Sequence, residues 1–311
     1  MIDEFRRSSI LLDKLTFDDT ISPTGGSNLV YGYQRLETPS TAAVRQINSE
    51  YSPNEAKRTK CTASPVILGG SFQIDRVIAQ TSGAINEMNF QIKEKTKAGA
   101  NYFHNLVING TSASTGTGYV PNTFDGLKKI LTGKSTEMTT DIDISTSALL
   151  DSNYNALLDE LDTFIALLAA KPDVLMMNSK MLTKVKSAAR RAGYYDRNKD
   201  DFGRTVETYN GIILMDAGQY YNGSTTEDVV STSTPGSDTY GTTDIYAAKL
   251  GLDAFHGISV DGSKMLKTYL PDLQAPGAVK TGEVELIAGA VLKNSKMAGV
   301  LKGIKLLGKT A

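Results

Sequence analysis

The chain divides by hydrophobic periodicity into an irregular N-terminal part and a regular remainder. Apolar or small residues recur every three or four positions from 82 to 107, which predicts one long amphipathic helix. The seam of this helix consists of Ile85, Met88, Ile92, Thr96, Gly99, Phe103 and Leu106. Asn109 and Gly110 should end it, because both residues tolerate a left-handed backbone. Residues 66–74 alternate between apolar and polar, which predicts a half-buried strand with 43–51 as its expected partner.

The second half of the chain predicts alternating helices and strands. One helix can be capped by Ser147 or Ser152, and a second one by Asn178 or Ser179. The expected strands lie at 173–177, 205–209, 212–215 (after the Asn210-Gly211 turn), 244–249, 283–292 and 297–306. Residues 222–243 are rich in Ser, Thr, Gly and Asp, which predicts a mobile surface loop.

The sparse apolar pattern of the first eighty residues predicts a segment that other molecules bury. A short helix at 2–15 precedes two turn-rich stretches, 16–45 and 46–80, whose apolar residues are too sparse for a core of their own. Composition alone favours the alternative of a disordered tail. Three aromatic residues argue for order: Tyr31, Tyr33 and Tyr51. We therefore expect an extended arm that completes its contacts on neighbouring copies.

Composition narrows the class of protein. The 311 residues carry a net charge of −1, without the strong basic excess of a dedicated nucleic-acid binder. One cysteine, Cys61, excludes an intramolecular disulfide framework. The acidic residues Asp3 and Glu4 are atypical of a signal peptide, and no apolar stretch is long enough for a membrane span. The sequence predicts a mixed helix and strand protein that does not engage a membrane.

Residues that could perform catalysis are few and scattered. His104 and His256 lie far apart, and neither stands beside a nucleophile motif. Cys61 has no accompanying histidine signature and is expected to be an incidental thiol. We predict no catalytic residue.

Ligand-binding motifs are equally weak. Gly133-Lys134-Ser135 ends like a phosphate-binding loop, but Lys128 stands where the first glycine is required, so a simple glycine turn is expected. Asp141 and Asp143 lack the glycine and the distal glutamate of a calcium loop. Glu283 and Glu285 share a strand face, and cations on a neighbour are their expected partners. The sequence therefore predicts neither a cofactor nor a metal site.

Charge is distributed unevenly along the chain. Residues 141–162 carry six acids and no base, 180–204 eight bases against three acids, and 280–309 six bases against two acids. Solvated helix faces of different sign explain this pattern without further assumption. The alternative is complementary contact between copies of one subunit.

Four segments carry a further signal: Val174–Ser179 before a helix, Tyr209–Asp216 and Asp244–Gly257 in the central block, and Lys296–Lys302 near the end. Read in order, these segments resemble the major capsid proteins of tailed bacteriophages, which share the Hong Kong 97-like fold. The resemblance spans nearly the whole chain, and the order of the segments carries it. It implies an α+β fold with an N-terminal arm, an extended loop hairpin, a long spine helix, and peripheral and axial domains.

The resemblance also implies a division into domains. The arm would be 1–45, the extended loop 46–80, the axial domain 146–270, and the peripheral domain 81–145 together with 271–311. The spine helix 82–107 would lie in the peripheral domain. The loop, whose tip would hold Lys57, Arg58 and Lys60, would lie across an adjacent subunit.

The function implied by the resemblance is self-assembly into the icosahedral head shell of a phage. The expected partners are copies of the chain as hexamers and pentamers, portal and scaffolding proteins, and enclosed double-stranded DNA with weak, non-specific contact. The expected location is the virion, after assembly in the host cytoplasm. The residues expected between subunits are Phe5, Leu11, Leu12, Tyr31, Tyr33, Lys57, Arg58, Lys60, Phe72, Asp159, Glu160, Arg190 and Arg191.

Other interpretations remain open from sequence. An encapsulin-like shell protein would share the fold but hold an enzyme cargo rather than DNA. An α/β enzyme is favoured only by Gly133-Lys134-Ser135 and the central block. For the shell subunit, we expect that removing residues 1–40 leaves the rest folded but impairs assembly.

Overall fold

The computed structural model describes residues 10–22, 26–27, 29–38, 40–81, 86–193, 196–199, 205–260 and 266–309. The helices of this part are α1 (Ile10–Lys14), α2 (Arg76–Thr81), α3 (Glu87–Asn109), α4 (Leu127–Leu131), α5 (Ser147–Ala166) and α6 (Ser179–Arg191), with a 3-10 turn at Ser295–Met297. The strands of the first third are β1 (Phe17–Asp19), β2 (Ile21–Ser22), β3 (Gly26–Ser27), β4 (Tyr31–Thr38), β5 (Lys57–Ala63) and β6 (Val66–Asp75). The remaining strands are β7 (Glu137–Thr139), β8 (Val174–Met177), β9 (Asp196–Lys199), β10 (Thr205–Tyr209), β11 (Ile212–Asp216), β12 (Gln219–Tyr221), β13 (Thr226–Asp228), β14 (Gly241–Ala248), β15 (Phe255–Ser259), β16 (Leu266–Tyr269), β17 (Val279–Leu292) and β18 (Ala298–Leu307).

Helix α3 forms the predicted long amphipathic element. It begins after Asn86, whose side chain accepts a hydrogen bond from the backbone N–H of Asn89 at 3.1 Å. Ile92, Phe103 and Leu106 are buried along its seam, as the periodicity predicts. It ends at Asn109, so the predicted end is confirmed.

The reason given for that end is wrong. Gly110 has φ −64°, not a left-handed backbone. A Cβ at this position would lie 2.5 Å from the carbonyl oxygen of Phe124 and 2.6 Å from that of Leu106. Close backbone approach therefore requires this glycine.

A five-stranded sheet packs against α3. Its order is β1-β15-β17-β16, and β6 also pairs with β17, antiparallel and with Ser71 opposite Glu283. The predicted half-buried strand is confirmed as β6, but its predicted partner at 43–51 is wrong. β17 is one long strand with an apolar inward face. Its pairing with β6 therefore adds cross-strand apolar contacts that a polar loop does not provide.

A seven-stranded sheet, β7-β18-β14-β8-β11-β10-β9, forms the other half of the body. β8 is buried at every position, because the strand lies in the centre of this sheet. β10 and β11 meet at the predicted tight turn, where Asn210 and Gly211 have φ of 50° and 72°. Helices α5 and α6 pack against each other and bury Phe164, Leu161 and Val185.

The sheets and the proposed domains do not coincide. The seven-stranded sheet takes β7 and β18 from outside 146–270, while β15 and β16 join the five-stranded sheet. One core contains α1, α3, α4 and the inner face of β17, and a second lies beneath α5 and α6. A small third cluster joins Phe72, Ile92 and Val284.

Two local predictions need correction. The cap of α5 is Thr146, whose hydroxyl accepts from the backbone N–H of Leu149 at 3.2 Å, rather than Ser147 or Ser152. The segment 222–243 is not a uniform loop. It contributes β13, and its residues Val229 and Val230 are buried in the core.

Candidate assembly surfaces

The hairpin formed by β4 and β5 is anchored to the body at its base. The Tyr31 hydroxyl donates to the carboxylate of Asp18 at 2.7 Å, and its ring packs edge to face against buried His256 at 5.8 Å between centroids. The guanidinium of Arg35 donates to the carbonyl oxygen of Leu292 at 3.0 Å. Burial, followed by the hydrogen bond to Asp18, raises the pKa of Tyr31 well above its ordinary value, so this hydroxyl remains a donor.

The two faces of the hairpin differ in exposure. Tyr31, Tyr33 and Arg35 of β4 are partly buried, and in β5 they oppose Ala63, Cys61 and Thr59. The other face is exposed along both strands and consists of Gly32, Gln34, Leu36, Arg58, Lys60 and Thr62. The hairpin therefore has an inner face toward its own body and an outer face toward solvent.

Beyond these strands the tip of the hairpin lies in solvent. Every residue from 40 to 60 is exposed, including Val44 at 101%, Ile47 at 91% and Tyr51 at 58%. The contacts that shape the tip are local: the hydroxyl of Ser49 donates to the carbonyl oxygen of Gln46 at 2.9 Å. Exposed branched side chains on a projecting hairpin are typical of a surface that another molecule covers.

Lys57, Arg58 and Lys60 do not lie at the tip. They belong to β5, because the hairpin is formed by residues 31–38 and 57–63 rather than by 43–51 and 66–74. All three remain exposed, so their predicted contact with a neighbour stays a prediction.

The N-terminal apolar residues lie in the body. Leu11 and Leu12 are each 1% exposed within the first core, and Phe72 is buried in the third cluster. We therefore no longer expect these three side chains to contact neighbouring subunits, because each is already buried within its own chain. Phe5 lies outside the described residues.

A second exposed apolar surface lies on the body. Helix α2 has no buried residue, and its Val77 and Ile78 are exposed. Val279 of β17, which lies opposite Asp75 just before α2, is exposed as well, and so is Phe90 near the start of α3. Large apolar groups in this number, on neighbouring elements, mark a surface for another molecule.

Opposite charges are partly paired inside the subunit. The Nε atom of Arg191 in α6 lies 2.6 Å from the carboxylate of Asp151 in α5, and Lys305 Nζ lies 2.6 Å from that of Asp141. Lys302 also pairs with Glu137. Some of the opposite charges are therefore paired within one molecule, so the uneven charge distribution does not require contact between copies.

The remaining charged candidates lie on the helices of the second core. Asp159 and Arg190 are exposed, and Glu160 is half-buried. In the same area the hydroxyl of Tyr209 donates to the carboxylate of Asp162 at 2.9 Å. Contacts of Asp159, Glu160, Arg190 and Arg191 with other copies stay predictions.

The histidines have surroundings that favour the neutral form. Burial lowers the pKa of His104 to about 4. Burial, and next the charge of Lys293, lower the pKa of His256. Both side chains pack in the interior, and His256 supports the base of the hairpin through Tyr31.

The glycine turn that the sequence predicts at Gly133 is confirmed. α4 ends at Leu131, and Gly133 follows with φ 73°. Within the described residues, no group of three or more His, Cys, Asp or Glu side chains is placed to hold a metal ion. None of the helices described here is long and apolar enough to cross a membrane.

Sequence reasoning missed several residues that shape these surfaces. Asp18, Arg35 and His256 fix the base of the hairpin, and Val44 and Ile47 supply its apolar tip. Two apolar residues three positions apart in a polar stretch were a signal for the tip. The anchoring residues have no such signal, because they are brought together from three distant segments.

Known structures share this fold. The SrpI encapsulin of Synechococcus elongatus PCC 7942 is 12% identical, with a TM-score of 0.64 over 97% of this chain and 89% of its own. The capsid of Myoviridae phage XM1 is 12% identical, with a TM-score of 0.56 over 95% and 91%. A solved structure from Mycobacterium phage Ogopogo is also 12% identical, with a TM-score of 0.57 over 94% of this chain and 91% of its own. No curated protein matches the sequence.

Sequence comparison separates the phage and encapsulin interpretations, which the fold alone does not. The family model of the SU10 major capsid protein matches residues 55–213, from just before β5 through α3 to the start of β11. Because this match spans just over half of the 311 residues, the chain belongs to the SU10 major capsid protein family, and it is a phage head shell protein with the Hong Kong 97-like fold.

Proposed function

We propose that copies of this chain form hexamers and pentamers that close into an icosahedral head, through contacts made by the β4–β5 hairpin. The observation that carries this proposal is the exposure of Val44 and Ile47 at a tip whose contacts within the chain are local. Such groups gain free energy only when another molecule removes them from water, by about 25 cal/mol for each Å² of apolar surface. The tip then contributes little to folding and much to association.

The exposed apolar surface on α2 and the start of α3 is the second contact region in this proposal. Its residues Val77, Ile78 and Phe90 lie on the body rather than on the projecting hairpin. A contact between two different surfaces is heterologous, and heterologous contacts build rings and closed lattices rather than simple dimers. Modest contacts repeated around each copy are sufficient for a stable shell.

The block around α5 and α6 is proposed to meet its copies around the five-fold and six-fold axes. Its exposed charges, including Asp159 and Arg190, would set the register between neighbours. Lys57, Arg58 and Lys60 of the hairpin would make the corresponding contacts between peripheral regions, whereas Tyr31 and Tyr33 face the body of their own subunit. The domain boundaries at 45, 80, 145 and 270 remain part of this proposal.

We also propose that the shell encloses double-stranded DNA and holds it weakly. The net charge of −1 supports this, because an inner surface of such a subunit confines the polyanion without binding it strongly. Portal and scaffolding proteins would be further partners, assembly would take place in the host cytoplasm, and the chain would have no catalytic role.

Assembly of the purified chain tests the proposal. Light scattering and electron microscopy should show closed particles or rings with five-fold and six-fold symmetry. A strict monomer at high concentration under assembly conditions would contradict it.

The contents of the particles provide a separate test. Particles recovered from infected cells should contain DNA that becomes sensitive to nuclease after disruption. An enzyme cargo in place of DNA would favour an encapsulin-like role, for which the likeness to SrpI is the motivating observation.

A further inference from the structure

A shallow groove lies on the exposed face of the five-stranded sheet, between β6 and β17. Leu68, Phe72 and Ile74 of β6 are buried, so the intervening positions face outward. The groove is lined by Ile67, Gly69, Gly70, Ser71, Glu283, Val284 and Glu285. A Cβ at Gly69 would lie 1.9 Å from the carbonyl oxygen of Val284, so close strand approach keeps this position without a side chain.

Two carboxylates border the groove. Glu283 lies opposite Ser71 and Glu285 opposite Gly69 in the strand register. Neither forms an ion pair or hydrogen bond with another residue in the described part of the chain. Lys267 of β16 is across from Glu285 in the register, but the two do not form an ion pair there. The groove is therefore bordered by two carboxylates that make no ion pair within the described residues, with the single cation Lys267 beside one of them.

The outer face of the hairpin presents the complementary groups. Arg58 and Lys60 of β5 are exposed on that face, where Arg58 lies opposite Leu36 and Lys60 opposite Gln34 in the strand register. The contact of Arg58 within the chain is a hydrogen bond to the amide oxygen of Gln34 at 3.4 Å. Leu36 supplies an exposed apolar group beside these cations, as Ile67 does beside the carboxylates.

The spacing of the two charge pairs matches. Arg58 and Lys60 are two positions apart on one strand, and Glu283 and Glu285 are two positions apart on another. Side chains at such positions share a face and repeat at about 6.6 Å, so the hairpin face stacked on the exposed face of the sheet can bring both charge pairs together at once. We propose that the groove between β6 and β17 binds the outer face of the hairpin of a second copy, through Glu283 and Glu285 against Arg58 and Lys60.

A second copy is the occupant that the observations favour. The groove and the hairpin face belong to the same chain. Their charges are opposite in sign and equal in spacing, and each surface has an exposed apolar residue beside its charges. A polyanion such as DNA is unsuited to a surface bordered by two carboxylates. The inference depends on the proposed assembly through the hairpin and adds the surface that receives it.

Charge reversal on each side and on both sides tests the pairing in the full-length chain. The variant Glu283→Lys/Glu285→Lys and the variant Arg58→Glu/Lys60→Glu should each raise the critical concentration for assembly about tenfold or more. The four-fold variant, with both pairs reversed, should restore assembly to within about threefold of the unchanged chain. Assembly is followed by light scattering, and electron microscopy verifies the particles.

Two controls separate a lost contact from a damaged subunit. The variant Asp238→Lys/Asp253→Lys raises the net charge by four, as Glu283→Lys/Glu285→Lys does, but at exposed loop positions, and should assemble like the unchanged chain. High salt should reduce the defect of each reversed pair, because it screens repulsion between exposed charges. A folding defect would instead lower the unfolding temperature of the unassembled subunit.

The outcomes are distinct for the two proposals. If the unchanged chain does not assemble, the proposed function fails at that point. If it assembles and either reversed pair assembles equally well, the groove inference is overturned. It is also overturned if both reversed pairs are defective and their combination is not restored, because the two surfaces then contact other partners.

Discussion

The tip of the β4–β5 hairpin and the sheet beneath α5 and α6 use apolar side chains in opposite ways. Val44 and Ile47 at the tip are almost fully exposed, whereas Phe164 and Leu161 of α5 are fully buried. The second region is complete within one molecule, since strands and helices from 137 to 307 enclose its core. The first has branched side chains with no such enclosure. In a shell subunit, one region supplies folding free energy and the other supplies association.

The largest expected effect is on folding, in the enclosed region. Phe164→Ala removes a ring that is fully buried in the second core, so the free energy of unfolding should fall by about 3–5 kcal/mol. Urea denaturation of the unassembled subunit measures this loss. The matched control is Leu167→Ala, at the exposed C-terminal end of the same helix, which should change stability by less than about 1 kcal/mol. Equal losses from the two substitutions would contradict the enclosed core.

A smaller effect is expected at the buried amide of Asn178. Its Nδ2 donates to the carbonyl oxygen of Val230 at 3.1 Å and to the hydroxyl of Thr243 at 2.8 Å, and its Oδ1 caps α6 at Met181. Asn178→Ala should lower the free energy of unfolding by about 1–3 kcal/mol, because it leaves buried polar groups unsatisfied. Urea denaturation measures this loss.

Asn178→Ser separates the two roles of this side chain. Its hydroxyl can still cap α6, so the loss should be smaller than that of the alanine variant. Equal losses in the two variants would mean that the cap contributes nothing measurable.

Substitutions at the hairpin tip should impair assembly and leave folding stability almost unchanged. Val44→Ser/Ile47→Ser should leave the free energy of unfolding within about 0.5 kcal/mol of the unchanged chain, since these residues are exposed before and after folding. The critical concentration for assembly should rise about tenfold. Leu252→Ser, an exposed leucine in a body turn, serves as the control and should alter neither quantity. A tip variant that unfolds more easily but assembles normally would show that the tip stabilises the folded subunit rather than the assembly.

The smallest expected effect concerns pH. The hydrogen bond from Lys302, and next that from the backbone N–H of Gly133, lower the pKa of Glu137. A carboxyl whose folded pKa is below its unfolded value stabilises the protein above the unfolded pKa and loses that contribution as the pH falls through the folded pKa. Unfolding free energy should therefore decrease on acidification from about pH 5 downward, by about 1 kcal/mol or less for this partly exposed pair.

The variant Glu137→Gln isolates this contribution. Its acid dependence should be shallower than that of the unchanged chain, as followed by urea denaturation between neutral and acidic pH. An identical acid dependence would contradict the role of Glu137.

The removal of residues 1–40 should not leave the rest of the chain intact, contrary to the expectation from sequence. Leu11, Leu12 and Leu15 lie in the first core, and β1 pairs in parallel with β15. The truncation should therefore destabilise the body as well as impair assembly, which thermal denaturation of the truncated chain will measure. The first eighty residues do not act as one unit, because their start belongs to the body and the 40–56 segment does not.

Much of the fold was predictable where pattern and burial agree within one element. The seam of α3, the cap of α6, the turn at Asn210-Gly211 and strand β6 all follow from local periodicity and turn chemistry. The partner of β6 was not predictable, because β17 lies some 200 positions after β6 in the sequence and no local pattern links the two strands. The buried state of Val229 and Val230 was hidden by the polar composition of their surroundings.

The sequence by itself determined the mixed α+β character, the long helix, the absence of a recognisable catalytic motif and the resemblance to phage capsid subunits. These properties depend on residue type and on spacing within one element. Only the tertiary structure decided that residues 31–38 and 57–63 form the hairpin, that the N-terminal leucines lie in the body, and that Glu283 and Glu285 border a glycine-floored groove. The physical reason is that strand pairing and burial are settled by competition among distant segments for the same edge and the same core, which no local pattern records.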